Sequence, residues 1–257
     1  MPIITLTTDL GLKDYYVSAV KGAILSQLPM VTIVDITHEL EPFDIFQASY
    51  VVKNSYSNFP EGTIHIIGVN AQPDVNAPYL AMLVNGHYFI GSDNGIFSLL
   101  FDIKPDKIVE LTIKQDPENV TFPIKDIFVK VACHIARGGT LEIIGSIKES
   151  FNQRTLFRPV LDGDILKGTF IYIDSYQNVI SNITKKIFTE AAKGKNFNIN
   201  IVRYNIDTIS ESYNLVAEGE ILAMFNSAGY LEIAQNKGKV ASLLNIQLGD
   251  IITIRFE

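Results

Sequence analysis

Apolar and polar positions follow two periods along the first half of the chain. Short β-rich apolar runs predict strands at Ile3–Leu6, Val31–Ile36 and Ile64–Val69. Between them, apolar residues that recur every 3.6 positions predict a helix over Ile45–Tyr56, with Asp44 as its N-cap. This alternation of strands and helices predicts an α/β domain with mostly parallel strand pairing.

Further along the same half, two apolar runs meet at a tight turn. Leu80–Val84 and His87–Gly91 flank Asn85-Gly86, a dipeptide that is typical of a type I′ β-hairpin. A later apolar stretch, Asp126–Arg137, predicts a helix that Asp126 would cap.

The pattern changes near residue 150. Polar residues 151–163, with Pro159 and Gly163, are interpreted as a linker between a first domain at 1–150 and a second at 164–257. Short β runs and turn signals in the second part predict a small all-β barrel or sandwich. The predicted elements are strands at Leu166–Ile173, Val179–Ile183, Phe197–Tyr204, Ile221–Phe225, Tyr230–Ala234 and Asp250–Arg255, and one helix at Lys185–Ala192.

Composition excludes several classes of protein. The 257 residues are 47% apolar and 19% charged with a net charge of −7, which describes a well-buried globular protein. The chain carries no run of Lys and Arg, so nucleic acid and anionic membranes are poor candidate partners. The single cysteine, Cys133, excludes an intrachain disulfide and is expected to be a buried apolar residue. No targeting or membrane-spanning segment is recognisable, so we expect a cytoplasmic protein, and the isolated His38 gives no reason to expect a metal.

The turn after the first predicted strand carries two carboxylates. Asp9 and Asp14 flank Gly11, between that strand and an apolar helical stripe. In open α/β sheets, ligands bind outside the carboxyl ends of the strands. A carboxylate there can accept two hydrogen bonds from a vicinal diol such as ribose. Alternatively, Asp9 or Asp14 simply caps the helix that follows.

Other polar stretches follow predicted strands, and each could either bind a ligand or hold a turn. In the stretch 174–178, an aromatic ring stands between an acid and an amide, a combination that suits a purine. The candidate residues in these stretches are Asn70, Asn94, Asp174, Tyr176, Asn178 and Ser227.

The order and spacing of these stretches resemble those of a known family. Thr8-Asp9-Leu10-Gly11, Val34–His38, Asp93-Asn94-Gly95, Asp174–Asn178 and Asn226–Leu231 resemble the S-adenosylmethionine (SAM) hydroxide adenosyltransferase family, which also holds the fluorinating and chlorinating enzymes. The resemblance covers essentially the whole chain. It implies an α/β domain followed by a β-barrel, and no cofactor beside SAM itself. It also implies a homotrimer whose nucleoside sites lie between subunits.

The resemblance implies a role for each candidate. Asp9 matches the carboxylate on the ribose hydroxyls, Asp14 the acid on the methionine ammonium, and Phe43 an aromatic wall beside the ribose. Asn94 is expected to contact substrate. The residues implied for adenine and for the methionine carboxylate are Asp174, Tyr176, Asn178 and Ser227.

The chain departs from the family pattern at the positions that would activate or bind the nucleophile. Water-using members carry an Asp, an Arg and a His where this chain has Asn70, Ala77 and Pro123. Halogenating members offer a small or hydroxyl-bearing residue where this chain has Ile124. Asn70 can orient a water but cannot act as a base at neutral pH. Two functions stay open: transfer of the adenosyl group from SAM to a small nucleophile, by default water, and catalytically silent binding of SAM or adenosine.

Overall fold

The computed structural model describes residues 1–113, 121–155 and 157–257. Contacts divide the chain after Thr155 into two compact units. The predicted linker at 151–163 contains Leu156, which lies outside the described residues, and the predicted domain limits stay a prediction.

The first unit alternates strands with helices. Its strands are β1 (Ile3–Thr8), β2 (Thr32–Thr37), β3 (Ile64–Gly68), β4 (Tyr79–Val84), β5 (His87–Ser92), β6 (Lys107–Leu111) and β7 (Gly145–Ile147). Its helices are α1 (Tyr16–Gln27), α2 (Ile45–Ser55), α3 (Ile96–Leu100) and α4 (Val129–Ala136), with 3₁₀ turns at Tyr56–Asn58 and Leu141–Ile143 and a π-helical turn at Ile124–Phe128.

The sheet of this unit is mixed, so the prediction of mostly parallel pairing was wrong. The strand order is β2-β1-β3-β5-β4-β6-β7. The pairings among β2, β1, β3 and β5 are parallel, and those from β5 through β4 and β6 to β7 are antiparallel. The reversal comes from the predicted hairpin, which is confirmed. Asn85 and Gly86 both have a positive φ, +49° and +75°, as a type I′ turn requires.

Helices cover both faces of this sheet. Neighbouring residues of β3 point to opposite sides: Ile66 packs in the cluster that holds Ile24 of α1, and Ile67 in the cluster that holds Val52 of α2. Cys133 of α4 is fully buried, as expected. Because both faces are covered, the edge formed by the carboxyl ends of β1, β2, β3 and β5 is where a ligand can enter.

Two predicted helix caps have different outcomes. Asp44 caps α2 as predicted: its Oδ1 accepts from the N–H groups of Phe46 (2.9 Å) and Gln47 (3.0 Å). The prediction for Asp126 was wrong, because the helical segment already starts in the π-helical turn after Pro123, and no side chain caps it. Asp126 forms an ion pair with Lys125 instead (3.1 Å).

The second unit is a nearly closed, antiparallel, barrel-like sheet, which confirms the predicted β-domain. The strand order is β12-β11-β15-β9-β10-β14-β13, with β8 paired to β9. The strands are β8 (Val160–Asp162), β9 (Ile165–Ile173), β10 (Val179–Thr184), β11 (Phe197–Ile201), β12 (Tyr204–Ile206), β13 (Ile221–Phe225), β14 (Tyr230–Gln235) and β15 (Ile251–Phe256). Helices α5 (Lys185–Ala192) and α6 (Val240–Leu244) and a 3₁₀ turn at Tyr213–Leu215 complete the unit.

One predicted strand of this unit was wrong. Phe197–Tyr204 is a hairpin rather than a single strand, because the chain reverses between Ile201 and Tyr204, which pair with each other. Val202 turns the chain with a φ of +52°. The sequence has neither Gly nor Asn at this turn, so the usual signal of a reversal is missing.

Candidate functional site

Asp9 joins three loops at the carboxyl edge of the mixed sheet. It follows β1, and its Oδ2 accepts from the N–H of Phe43 (2.8 Å) and from the N–H of Asn70 (3.3 Å). Phe43 and Asn70 both have left-handed backbones, with φ of +69° and +46°. Such a conformation is uncommon for a residue as bulky as phenylalanine, and strained residues of this kind cluster at functional sites.

The structure rejects the interpretation of Asp9 or Asp14 as a helix cap. Helix α1 begins at Tyr16 after Tyr15, and no side chain caps it. Asp14 is exposed in the turn before the helix. In the described part of the chain nothing donates to Asp9 Oδ1, so this oxygen keeps its full capacity to accept hydrogen bonds.

A small pocket of about 80 Å³ lies beside Asp9. Phe43 and Asn70 form part of its wall, and Pro123 and Ile124 form another part. Gly68 leaves the space that the Ile124 side chain occupies, because a Cβ on Gly68 would lie only 2.6 Å from Ile124 Cδ1. The structure therefore brings Asp9, Phe43, Asn70 and the Pro123 position together.

A larger cavity of about 630 Å³ shares Phe43 and Asn70 with the small pocket. Asn94 lines it and holds the Asn70 loop in place, because its Nδ2 donates to the carbonyls of Val69 (3.1 Å) and Asn70 (3.2 Å). This geometry agrees with the turn-holding interpretation of Asn94. Ala77 lines the same cavity.

The same cavity is lined by a buried acid, Asp93, which belongs to the Asp93-Asn94-Gly95 stretch of the family resemblance. Asp93 is 3% exposed, and its Oδ1 accepts from the N–H of Asn152 (2.8 Å). Asn152 also donates from Nδ2 to the carbonyl of Asp93 (2.6 Å). Burial raises the pKa of Asp93 above its ordinary value, despite the hydrogen bond from Asn152.

A buried histidine braces the Asp9 turn from behind. His38 Nδ1 lies 2.7 Å from Thr8 Oγ1, and the carbonyl of His38 accepts from the N–H of Gly11 (2.8 Å). Its Nε2 lies 3.1 Å from Asp35 Oδ1. Burial alone would raise the pKa of Asp35, but its contacts with Lys21 and His38 keep that pKa below its ordinary value. His38 is therefore structural, as expected, and holds both sides of Asp9.

In the second unit, Asp174 holds a hairpin loop between β9 and β10. Its Oδ1 accepts from the N–H groups of Tyr176 (2.9 Å) and Asn178 (2.8 Å), and its Oδ2 accepts from Asn178 Nδ2 (3.1 Å). This arrangement agrees with the hairpin-loop interpretation of Asp174. Tyr176 is 75% exposed, so its side chain is accessible to a ligand.

Ser227 lies exposed at the turn between β13 and β14. Asn226 holds this turn, since its Oδ1 accepts from the N–H groups of Ala228 and Tyr230 (3.1 Å each). Glu232 of β14, which the sequence analysis missed, is buried beside the turn and accepts from the hydroxyl of Tyr213 (2.7 Å). Burial raises the pKa of Glu232.

A metal centre finds no support in the side chains that the structure describes, because no three His, Cys, Asp or Glu come together as a possible ligand set. Among the described helices, none has the length and apolar character that a membrane crossing requires.

Comparison with protein families assigns both units. A family model described as the SAM hydroxide adenosyltransferase N-terminal domain matches residues 4–145, and a model for the C-terminal domain matches residues 168–253. The chain belongs to the SAM hydroxide adenosyltransferase family. The family match thus contains Asp9, Asn70 and Asp93 in its first part and Asp174 and Ser227 in its second.

Relatives in the SAM hydroxide adenosyltransferase family match over nearly their full length. The (R)-S-adenosyl-L-methionine hydrolase of Methanocaldococcus jannaschii is 28% identical, over 99% of this chain and 96% of that protein. A fluorinase of Actinoplanes sp. is 22% identical, over 98% of this chain and 97% of the enzyme. A crystal structure of an uncharacterized conserved protein from Thermotoga maritima has 30% identity and a TM-score of 0.89, and covers 98% of this chain and 99% of that one.

Proposed function

We propose that the protein binds SAM and transfers its 5′-adenosyl group to water, which gives adenosine and L-methionine. The observation that carries this proposal is the geometry of Asp9. Two backbone N–H groups fix the carboxylate through Oδ2, while Oδ1 has no donor in the described chain. An oxygen of a carboxylate has two lone-pair positions, which is what the two hydroxyls of a ribose need. The hydrolases among the relatives support the choice of water.

Apart from a group that takes a proton from the water, the reaction mainly requires positioning. Methionine leaves from a sulfonium, which is already a good leaving group, so the site mainly has to orient and desolvate the attacking water. Phe43 is 62% exposed and lines the pocket beside Asp9, which supports its expected role as a wall along the ribose. The scheme needs no cofactor, because SAM itself carries the reactive carbon.

A silent SAM- or adenosine-binding protein is the second candidate. It is favoured by the substitution of three water-activating positions by Asn70, Ala77 and Pro123, of which Asn70 and Pro123 line the small pocket beside Asp9. The two functions differ in what becomes of bound SAM.

Incubation of the protein with SAM is expected to yield adenosine and methionine in equal amounts, as measured by liquid chromatography and mass spectrometry. A heat-denatured sample is the control for spontaneous decay of SAM. Tight binding of SAM without either product would establish the silent binder, and the absence of both binding and products would contradict both functions.

We also propose a cytoplasmic homotrimer with composite sites. The support is the division of the implied binding residues: Asp9 and Asp14 belong to the first unit, and Asn178 and Ser227 to the second. Sedimentation velocity at micromolar concentration is expected to give a trimer of the 28.6 kDa chain. A monomer under these conditions would contradict the composite site.

A further inference from the structure

Hydrolysis of SAM needs a group that takes a proton from the attacking water, and Asn70 cannot do this. If the protein hydrolyses SAM as proposed, another residue must therefore act as the base. The larger cavity is the place to look for it, because the cavity shares Phe43 and Asn70 with the pocket beside Asp9.

Hydrogen bonds link the two ends of this space. Asp9 accepts from the N–H of Asn70 (3.3 Å), and the carbonyl of Asn70 accepts from Asn94 Nδ2 (3.2 Å). Asn94 directly follows Asp93, which also lines this cavity. A water in this cavity would have Asp93 in its surroundings, and Phe43 and Asn70 would separate it from the pocket beside Asp9.

Three aspartates line the cavity, and their carboxylates differ in hydrogen bonding and in exposure to water. The Oδ1 of Asp44 is occupied by the N–H groups at the start of α2. Asp74 is exposed to water, and its Oδ1 accepts from the N–H of Asn76 (2.8 Å). Asp93 is buried and held by Asn152 through Oδ1, and no group in the described part of the chain donates to its Oδ2.

We propose that Asp93 is the general base of the reaction and takes its proton from the water bound in this cavity. The water oxygen forms a bond to C5′ of the ribose while the bond between C5′ and sulfur breaks. The electron pair of that bond stays on sulfur, which turns the sulfonium into the neutral thioether of methionine. The proton of the water goes to Oδ2 of Asp93 and later to solvent.

The environment of Asp93 suits this task. A base is most effective when its pKa lies near the working pH, and burial moves the pKa of Asp93 in that direction. The N–H of Asn152 fixes the carboxylate, so that little reorganisation is needed when the proton arrives. Asp93, which directly follows β5, thereby supplies the general base that the loop after β3 lacks.

The test compares water with azide as the nucleophile. Asp93→Asn keeps an oxygen that can accept from Asn152, so the fold is retained, but an amide cannot take a proton. We expect adenosine formation to fall by about 10²–10⁴-fold, with the Kd for SAM changed by less than threefold. Azide is an anion that attacks carbon without losing a proton. Added azide should therefore restore adenosyl transfer in the variant, with 5′-azido-5′-deoxyadenosine as the product.

Asp102→Asn is the matched control, because it removes the same charge from an exposed residue of the first unit that pairs with Lys53. An unchanged rate in Asp93→Asn would overturn the role of Asp93 while leaving hydrolysis in place. A loss that azide does not restore would also overturn it, since Asp93 would then be structural. If the wild-type protein forms no adenosine, the proposed function itself fails, and the base with it.

Discussion

Acidification from pH 6.5 to about pH 3 is expected to remove roughly 5 kcal/mol of folding stability through His65 alone. His65 of β3 is 1% exposed, and its Nδ1 lies 2.8 Å from Thr5 Oγ1. Its Nε2 lies 3.2 Å from His87 Nδ1, and its ring stacks on Phe89. Burial, and after it the neighbouring charge of His87, lower the pKa of His65 to about 3.

The direction of this pH dependence follows from the number of protons bound in the folded and unfolded states. Below pH 6.5 the unfolded chain takes a proton on His65, while the folded chain does not take it until about pH 3. Stability is therefore complete above pH 6.5 and falls by about 1.4 kcal/mol for each pH unit below it, down to about pH 3.

Urea unfolding between pH 7 and pH 4 measures this dependence. The variant His65→Phe, paired with Thr5→Val to avoid an unpaired hydroxyl, should lose about one proton from the pH slope of stability in that range. A residual slope is expected from His87, whose pKa is lowered by burial. The same slope in variant and wild type would refute the assignment, whatever the absolute stability of the variant.

Asp9→Asn is expected to weaken binding of adenosine by about 10-fold or more, and Asp9→Ala by about 100-fold or more. Two hydrogen bonds from the ribose to a charged acceptor contribute roughly 1.5–3 kcal/mol each. The asparagine variant still has one oxygen for the N–H groups of Phe43 and Asn70, so its stability should stay close to that of the wild type. Adenosine is the appropriate ligand for calorimetry, because the proposed reaction does not consume it.

A second ligand measures the contribution of the two ribose hydroxyls to binding. 2′,3′-Dideoxyadenosine lacks both hydroxyls, so wild-type protein should bind it much more weakly than adenosine, whereas the preference of Asp9→Asn for adenosine should be smaller by about 10-fold or more. If the variant still prefers adenosine as strongly as wild type does, Asp9 does not hold the ribose.

The elements that the sequence predicted well are those with a strong local signal. The Asp44 cap and the Asn85-Gly86 turn depend only on residues next to them in the chain, and both predictions were confirmed. The hairpin of β4 and β5 was predicted, but the sheet was not recognised as mixed, because the further antiparallel pairings of β4 with β6 and of β6 with β7 join strands that are distant in the chain. The start of α4 was missed because a π-helical turn after Pro123 carries no capping residue.

The site shows the same division. The resemblance brought Asp9, Phe43 and Asn70 into one hypothesis, and the structure places them together. The sequence did not reveal that Asp93 is buried, or that His38 contacts the residue before Asp9. The hydrogen bond between Asp93 and Asn152 joins residues 59 positions apart in the sequence, and that between Thr8 and His38 joins residues 30 positions apart. No short-range pattern reveals that such residues are buried together.

The left-handed backbone at Asn70 has a consequence for how this protein changes over generations. Asparagine and aspartate are the residues, other than glycine, that most readily adopt this conformation. Their codons differ by a single base. One point mutation can therefore exchange amide for acid at the start of this loop while the N–H of residue 70 stays on Asp9. A lineage can cross between these two side chains in either direction without passing through a misfolded intermediate.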